Sequence, residues 1–394
     1  MNSEQFDVLI LGAGAAGMFA AAEAGKRGRS VLIVDHADKP GEKIRISGGG
    51  RCNFTNVHAS AKQFISQNPH FCISPLKRFT ARDFIKRVDA RGIAYHEKTL
   101  GQLFCDGSAQ QIIDMLIDDM AQAGVVLRLE TQVFDIAKTE SGFLVRLSSG
   151  PVECQSLVIA TGGKSIPKMG ATSFGYRVAE QFGLALTDVR PALVPLTFEP
   201  HMLDRLKALA GVAVDAVVSR AKVKFAEALL FTHRGLSGPS ILQISSYWRE
   251  GDEIVIDLSP GRAVFPMLRE ARQASGKQEP QTVLSQVLPK GAAQFVTEQA
   301  NVTGRLADLS DKKLETIADA VHRWQIKPSG SEGYRTAEVT LGGVSTDELD
   351  QKTMQAKTVH GLYFIGEVVD VTGWLGGYNF QWAWSSGFAA GQAV

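Results

Sequence analysis

The pattern of apolar residues near the N-terminus predicts a buried strand that leads directly into a helix. Phe6 to Leu11 is a short aliphatic run of the kind found in parallel strands covered on both faces. The glycine-rich stretch Gly12–Gly17 follows, and an alanine-rich helical segment continues to about Lys26. A second strand over Ser30 to Val34 ends at Asp35. This order of strand, turn, helix and strand indicates a doubly wound α/β fold.

The spacing of the glycines predicts a dinucleotide site. Gly12 permits the tight turn, Gly14 lets a pyrophosphate approach the backbone, and Gly17 lets the helix pack close to the strand. Asp35 lies 18 residues beyond Gly17, close to the offset of about 20 residues at which an acidic side chain binds the adenosine ribose. The predicted contacts in this unit are Gly12, Gly14, Ala15, Ala16, Gly17 and Asp35.

A second glycine-rich segment favours FAD over NAD as the dinucleotide. Ser47 to Asn56 contains three consecutive glycines followed by polar residues, which suits a loop that places backbone amides against a flat ligand. A flexible surface loop is the alternative. Lys43, Arg45 and Arg51 make the segment locally cationic, for contact with pyrophosphate or a flavin anion, or only as solvated residues. Cys52 fits a small buried cysteine. The predicted cofactor contacts are Lys43, Ser47, Gly48, Gly49, Gly50, Arg51, Cys52 and Asn53.

Later segments return the chain to the same predicted crevice. Leu157–Gly163 and Gly361–Glu367 each look like a buried strand that runs into a glycine turn, as at the ligand-binding edge of open α/β sheets. Gly373–Gln381 opens a C-terminal helix whose N-terminus suits the anionic N1/C2 side of a reduced flavin, or alternatively packs on the sheet. The predicted contacts are Val133, Ala160, Thr161, Gly162, Gly366, Glu367, Gly376, Gly377, Tyr378 and Asn379.

Several longer motifs resemble those of one family. The Ser47–Asn56 loop, Ala160–Tyr176, Phe231–Leu242 and Gly361–Gly387 together resemble the BaiN/YhiN-like bacterial flavoproteins across nearly the whole chain. The resemblance implies that FAD is bound by a Rossmann-like domain, which the C-terminal segment completes, with an inserted β-rich domain and a small helical domain. Asp35, where FAD proteins often carry Glu, departs from the pattern and indicates a divergent branch.

The domain bounds follow from this resemblance and from a change of character in the middle of the chain. Strand-like runs such as Val212–Ser219 and helical runs such as Leu314–Trp324 indicate an insert with its own core. We expect the FAD domain to cover 1–189 and 341–394, the β-rich domain 190–261 and 326–340, and the helical domain 262–325.

The flavin carries the redox chemistry in such proteins, so few catalytic side chains are expected. His233 is a candidate proton donor or base and Tyr378 a candidate proton donor or ring cover; a turn histidine and a cofactor-positioning tyrosine are the alternatives. The first hypothesis is NAD(P)H-linked reduction of a small organic molecule through the flavin N5, which the resemblance implies for part of the family. An oxygen-using oxidase of small amines or aminoketones and a non-catalytic flavin-binding regulator are the alternatives.

The overall charge argues against a nucleic-acid partner. Lys and Arg total 42 against 41 acidic residues, and binding to phosphates needs clustered cations, which disfavours a flavin-dependent RNA modifier. Four cysteines without a CxxC pair favour the cytoplasm, and charged residues from Glu23 to Arg29 interrupt the apolar N-terminal run before it reaches the length of a membrane span. We expect a small-molecule substrate, no nucleic acid, no membrane and no metal; the oligomeric state stays open.

Overall fold

The computed structural model describes residues 3–394. The chain forms two compact units: the first ends at Arg190 and resumes over Val339–Val394, and the second comprises Pro191–Glu338. The predicted domain bounds, which divide the insert further, stay a prediction.

The first unit alternates strands and helices. Its strands before the insert are β1 (Glu4–Leu11), β2 (Val31–Val34), β3 (Asn53–Asn56), β4 (Phe64–Ile65), β5 (Tyr95–Glu97), β6 (Gln102–Cys105), β7 (Val126–Arg128), β8 (Val133–Lys138), β9 (Phe143–Leu147) and β10 (Gly150–Ile159). Its helices there are α1 (Ala15–Gly25), α2 (Glu42–Gly50), α3 (Ile73–Arg78), α4 (Ala81–Ala90), α5 (Gln110–Gln122) and α6 (Phe174–Gln181).

The middle of the chain is first strand-rich and then helical. Its strands are β11 (Arg190–Ala192), β12 (Leu196–Thr197), β13 (Ala213–Arg220), β14 (Val223–Thr232), β15 (Gly235–Ser237), β16 (Ile254–Asp257), β17 (Trp324–Ile326) and β18 (Gly330–Ser331). Its helices are α7 (Pro200–Leu206), α8 (Pro239–Ser245), α9 (Val264–Ser275), α10 (Pro280–Leu284), α11 (Lys290–Gln299) and α12 (Asp311–His322). The chain ends with β19 (Val339–Leu341), β20 (Leu362–Phe364), β21 (Thr372–Gly373) and α13 (Tyr378–Gly391).

The main sheet of the first unit has the strand order β7-β2-β1-β10-β9-β8, and β20 also pairs with β10. Strand β1 is parallel to both β2 and β10, and Leu9 stands opposite Leu32 on one side and Leu157 on the other. These residues are fully buried because helices cover parallel strands on both faces. The parallel pairing brings the carboxyl ends of β1, β10 and β20 to one edge, which confirms the predicted Rossmann-like sheet.

Helices α1 and α13 lie against each other because glycines remove side chains from their contact. A Cβ atom on Gly387 would lie 2.8 Å from the carbonyl oxygen of Ala16, and one on Gly391 would lie 2.6 Å from Cβ of Glu23. The C-terminal helix is therefore part of the nucleotide unit, as the sequence predicts.

The second unit contains an antiparallel sheet with the strand order β17-β16-β13-β14-β15-β12-β18. The helices α9 to α12 follow within the same unit. Phe231, Phe295 and Trp324 pack together with ring centroids 5.2–6.5 Å apart. The structure thus confirms the predicted α/β class with a β-rich and a helical inserted part.

Candidate functional site

The glycine-rich turn after β1 contains two glycines that packing requires and one that it does not. A Cβ atom on Gly12 would lie 2.5 Å from the carbonyl oxygen of Ala160, and one on Gly17 would lie 1.9 Å from that of Gly12. Gly14 differs, because its φ of −84° suits any residue and a Cβ atom there would meet nothing within 4 Å. Its missing side chain leaves open space at the start of α1.

The side chain of Asp35, directly after β2, stabilises the glycine-rich turn. Its carboxylate accepts hydrogen bonds from the N–H of Ala13 at 2.7 Å and from the N–H of Ala37 at 3.0 Å. Its carbonyl oxygen accepts from the N–H of Thr131 at 2.8 Å, which places Val133 at the start of β8 near the same corner. The predicted ribose contact of Asp35 and the predicted cofactor contact of Val133 stay predictions.

The second glycine-rich segment leaves helical geometry at Ser47, in agreement with the predicted glycine loop. Gly48, Gly49 and Gly50 have φ angles of 59°, 66° and 85°, and Asn53 begins β3. These left-handed angles favour glycine, which explains three in a row. A Cβ atom on Gly48 would also lie 2.7 Å from the ring of Phe104.

The cations of this segment are mostly paired rather than free. Lys43 Nζ donates to Glu367 Oε2 at 2.7 Å and to Ser165 Oγ at 2.6 Å. Arg45 forms an ion pair with Glu42 at 3.4 Å. A neighbouring carboxylate therefore balances the charge of each, and the predicted cofactor contacts of this segment stay predictions. Arg51 is exposed and forms no ion pair with another residue in the range 3–394.

A hydrogen-bonded cluster that sequence reasoning missed surrounds Glu367. Ser165 Oγ and the N–H of Thr340 both donate to Glu367 Oε1, each at 2.9 Å. Thr340 Oγ1 in turn accepts from the N–H of Lys164 at 2.8 Å. The cluster joins the segments that follow β10 and β20 to strand β19. Ser165 stands in the same glycine-rich motif as Gly162, which is the one signal that could have pointed to it.

The ends of β10 and β20 meet the start of α1. Thr161 Oγ1 is buried and has no hydrogen-bond partner among the described residues. Gly366 has a φ of 70°, and a Cβ atom there would lie 2.9 Å from Cβ of Ala16. Its N–H donates to Ser386 Oγ and its carbonyl oxygen accepts from Trp382 Nε1, both at 3.0 Å. Ala16, Ala160, Thr161, Gly162 and Gly366 are thus brought to one edge of the sheet.

The turn before α13 is closed by Asn379. Its side-chain oxygen accepts from the N–H of Gly373 and its side-chain nitrogen donates to the carbonyl of the same residue, both at 2.9 Å. Gly376 and Gly377 supply the left-handed turn, with φ angles of 109° and 91°. Tyr378 is buried, with its ring packed edge-on to Phe64. Its predicted catalytic role stays a prediction.

Strand β3 is joined to this turn by side chains that sequence reasoning did not select. Asn56 Nδ2 donates to the carbonyl of Gly376 at 2.9 Å. Thr55 Oγ1 donates to Gln381 Oε1 at 2.6 Å, and Gln381 Nε2 donates to the carbonyl of Phe79 at 3.0 Å. The available signal was the polar Gln381 within the largely apolar helix α13.

Two other predicted site residues, Cys52 and His233, are not part of the edge of the main sheet. Cys52 is fully buried in the core, and burial raises the pKa of its thiol. Its side chain therefore contributes packing, and its N–H is bonded to the carbonyl of Ser47. His233 is exposed in the turn between β14 and β15 of the second unit, whereas every predicted cofactor contact belongs to the first. Its catalytic role stays a prediction.

The family follows from comparison with known proteins. Residues 6–393 match the family described as HI0933-like protein Rossmann domain. The chain belongs to this family. The predicted BaiN/YhiN-like resemblance is confirmed, and the family is one of FAD-dependent oxidoreductases.

The relatives cover the chain from end to end. The chain is 53% identical over 395 residues to a ribosomal RNA dihydrouridine synthase of Escherichia coli, covering 99% of this chain and 98% of the relative. A Haemophilus influenzae protein of the same name is 45% identical over 399 residues, covering 100% and 99%. A 3-dehydro-bile acid delta(4,6)-reductase of Clostridium scindens is 27% identical over 405 residues, covering 98% of each chain.

A solved structure agrees with the fold. The 3-ketosteroid delta1-dehydrogenase of Sterolibacterium denitrificans superposes with a TM-score of 0.54 at 15% identity, covering 99% of both chains. At this identity the likeness supports the fold alone.

The expectation of a small-molecule substrate and no nucleic acid is wrong. The relatives at 53% and 45% identity are named for an RNA substrate. The physical reason for the error is that a net charge summed over the whole chain does not report where cations cluster.

The residues at the sheet edge fit FAD. Gly14 leaves space where a pyrophosphate can reach the amides of α1, and the buried Thr161 hydroxyl has a hydrogen bond left to make. Within residues 3–394, no three His, Cys, Asp or Glu side chains are grouped as a metal site requires. Over the same residues, every helix is too short or too polar to span a membrane.

Proposed function

We propose that this protein is a cytoplasmic, FAD-dependent oxidoreductase that reduces uridine in ribosomal RNA to dihydrouridine. The observation that carries the proposal is the 53% identity, over 99% of the chain, to a ribosomal RNA dihydrouridine synthase. The first unit supports it, because its sheet edge and glycine turns suit a dinucleotide that transfers two electrons.

The reaction adds two hydrogens to the uracil ring. A hydride is added to C6 and a proton to C5, so the C5=C6 double bond is lost, while NAD(P)H is oxidised to NAD(P)⁺. When bound, FAD supplies the two-electron relay between the nicotinamide and the base. NAD(P)H and the base would use the flavin in turn, since no second complete GxGxxG motif follows the first in the sequence.

The residues of this chain have two tasks in the proposal. The amides at the start of α1 and the open position at Gly14 would hold the pyrophosphate, and Asp35 would orient the ribose. Tyr378 and His233 are the candidates for delivering the proton to C5. Each candidate could instead have only a structural role. If Tyr378 or His233 donates the proton, Tyr378→Phe or His233→Gln slows reduction of the RNA while reduction of the flavin by NAD(P)H stays unchanged.

The test uses ribosomal RNA from an Escherichia coli strain that lacks its 53%-identical relative. The purified yellow protein is incubated without oxygen with this RNA, free and as ribosomal particles, and with NADH or NADPH. The RNA is digested to nucleosides, and dihydrouridine is measured by mass spectrometry. We expect dihydrouridine to form only with reductant and FAD-loaded protein.

Matched glycine variants provide the control. Gly14→Ala is expected to lose FAD and activity, whereas Gly291→Ala, at an exposed position in α11, is expected to keep both. Absence of dihydrouridine with free RNA and with particles would refute the proposal. If neither NADH nor NADPH bleaches the flavin, the proposed electron donor is wrong.

A further inference from the structure

Positive charge is concentrated in one segment of the first unit. The residues from Lys39 to Lys98 include 12 Lys and Arg against 4 Asp and Glu, whereas the rest of the chain has 30 against 37. Within residues 3–394, the cations of this segment that are exposed and form no ion pair are Lys39, Arg51, Lys62, Lys77, Arg78, Arg82 and Lys98. Such clustering supplies the phosphate attraction that the net charge of the chain conceals.

The turn between β5 and β6 in this segment exposes an apolar side chain from a strained backbone. Leu100 has φ 61° and ψ 27°, the left-handed region that favours glycine, and its side chain is 57% exposed. Such a conformation costs about 1–3 kcal/mol and persists where the surroundings hold it. Val57, 40% exposed, lies beside it, because its N–H donates to the carbonyl of Gly101 at 2.9 Å. Two exposed apolar side chains thus lie next to each other in this turn.

A buried amide joins this turn to the candidate flavin site. Asn56 Nδ2 donates to the carbonyl of Leu100 at 3.0 Å and to that of Gly376 at 2.9 Å. Lys98 Nζ lies 4.1 Å from the centroid of the Phe104 ring, against which Gly48 packs. The strained leucine and the cation therefore lie next to the two glycine turns that are the predicted flavin contacts.

We propose that Val57, Lys98 and Leu100 form a rim that binds single-stranded RNA next to the target uridine. Lys98 would contact a phosphate, and the apolar side chains of Val57 and Leu100 would pack against a flanking base, as apolar wedges do at unstacked steps. This assignment rests on the proposed function, since it names the surface by which that site receives its substrate.

Two substitutions test the rim without touching the cofactor. Lys98→Glu reverses a charge, and Leu100→Asn replaces the apolar side chain by one that tolerates the left-handed backbone. Arg146→Glu is the charge-matched control, since Arg146 in β9 is exposed and its side chain forms no ion pair within the described residues 3–394. FAD content and flavin bleaching by NAD(P)H without RNA are measured first and are expected to match the wild type in all three.

RNA binding is then measured with a single-stranded ribosomal RNA fragment over a range of salt concentrations. For Lys98→Glu we expect the slope of log K against log salt to fall by about 0.7, the loss of one phosphate contact. For Leu100→Asn we expect weaker binding with an unchanged slope. Both variants are expected to lower kcat/KM for dihydrouridine formation, whereas Arg146→Glu is expected to leave it unchanged.

The outcomes separate this inference from the proposed function. If the wild type forms no dihydrouridine, the proposed function fails, but the salt slopes still decide whether the rim binds RNA. If both variants bind and modify RNA as Arg146→Glu does, the rim is wrong. Loss of FAD in either variant would also overturn the rim, because the residue would then support the cofactor. Weaker binding to ribosomal particles with unchanged binding to free RNA would overturn it as well, because the residue would then contact a ribosomal protein.

Discussion

Gly14 is the position at which cofactor binding and folding can be separated experimentally. Its extended backbone accepts any residue, and a Cβ atom there meets no protein atom within 4 Å. In Gly14→Ala, a poorer helix N-cap and a less flexible unfolded chain act in opposite directions, each by about 1 kcal/mol. We therefore expect the free energy of unfolding of the FAD-free protein to change by less than about 1 kcal/mol.

The same methyl group would occupy the space through which the pyrophosphate reaches α1. A hydrogen bond from a backbone amide to a charged group contributes about 1.5–3 kcal/mol, so loss of one weakens FAD binding by about 10- to 150-fold. The assay titrates FAD-free protein with FAD and follows flavin fluorescence. Thermal unfolding with and without FAD is measured in parallel, and the stabilisation by FAD is expected to shrink in the variant.

Two other glycines are the controls. Gly17→Ala would place a Cβ atom 1.9 Å from the carbonyl oxygen of Gly12, so we expect the fold itself to be lost. Gly291→Ala meets only a flexible Leu209 side chain at 3.1 Å and is expected to bind FAD normally. Wild-type FAD affinity in Gly14→Ala would refute the placement of the pyrophosphate, and an unfolded Gly14→Ala would refute the open space.

Three further predictions concern the buried polar groups. Gln381→Leu leaves the Thr55 hydroxyl without its acceptor and removes one of the two hydrogen bonds that the Phe79 carbonyl accepts, the other being donated by Ser385 Oγ. Thermal unfolding should therefore show a loss of about 1–3 kcal/mol, and an unchanged melting temperature would contradict it. Burial raises the pKa of Asp370 from 3.8 to about 6, so the folded state retains a proton that the unfolded state releases. Stability should therefore fall as the pH rises. In urea unfolding, the wild type should lose about 1.4 kcal/mol of stability relative to Asp370→Asn between pH 5 and pH 7.5. Parallel pH dependence in both proteins would show that another group titrates. All four cysteines are buried, and burial raises their thiol pKa values, so a thiol reagent should label them only after unfolding; rapid labelling of the native protein would contradict the burial.

The opening strand, glycine turn and helix could be predicted from the sequence because their signals are local. The strand expected over Phe6 to Leu11 lies within β1, and the expected helix corresponds to α1. The different roles of Gly14 and Gly17 could also be predicted, because the motif assigns its second glycine to the ligand and its third glycine to helix packing. Local periodicity carries this information because neighbours in the chain are neighbours in the structure.

The contacts between distant segments could not be predicted in this way. Lys43 pairs with Glu367, 324 residues away, and Gln381 reaches the carbonyl of Phe79 across 302 residues. Periodicity indicates which face is buried, but not which carboxylate meets which cation. Two cations of the expected loop, Lys43 and Arg45, consequently proved to be paired, and the partner of Lys43 comes from the other end of the chain.

RNA was excluded wrongly because the exclusion used the net charge of the whole chain. That sum conceals the segment from Lys39 to Lys98, which carries 12 Lys and Arg against 4 Asp and Glu. The amide nitrogen of Asn56 donates to the carbonyls of Leu100 and Gly376 through its two N–H groups, so one buried side chain bonds both the exposed rim and the turn before α13. Under the two proposals, RNA contact at the rim and FAD contact at the turn would therefore be linked through this side chain, and such a linkage would act equally in both directions.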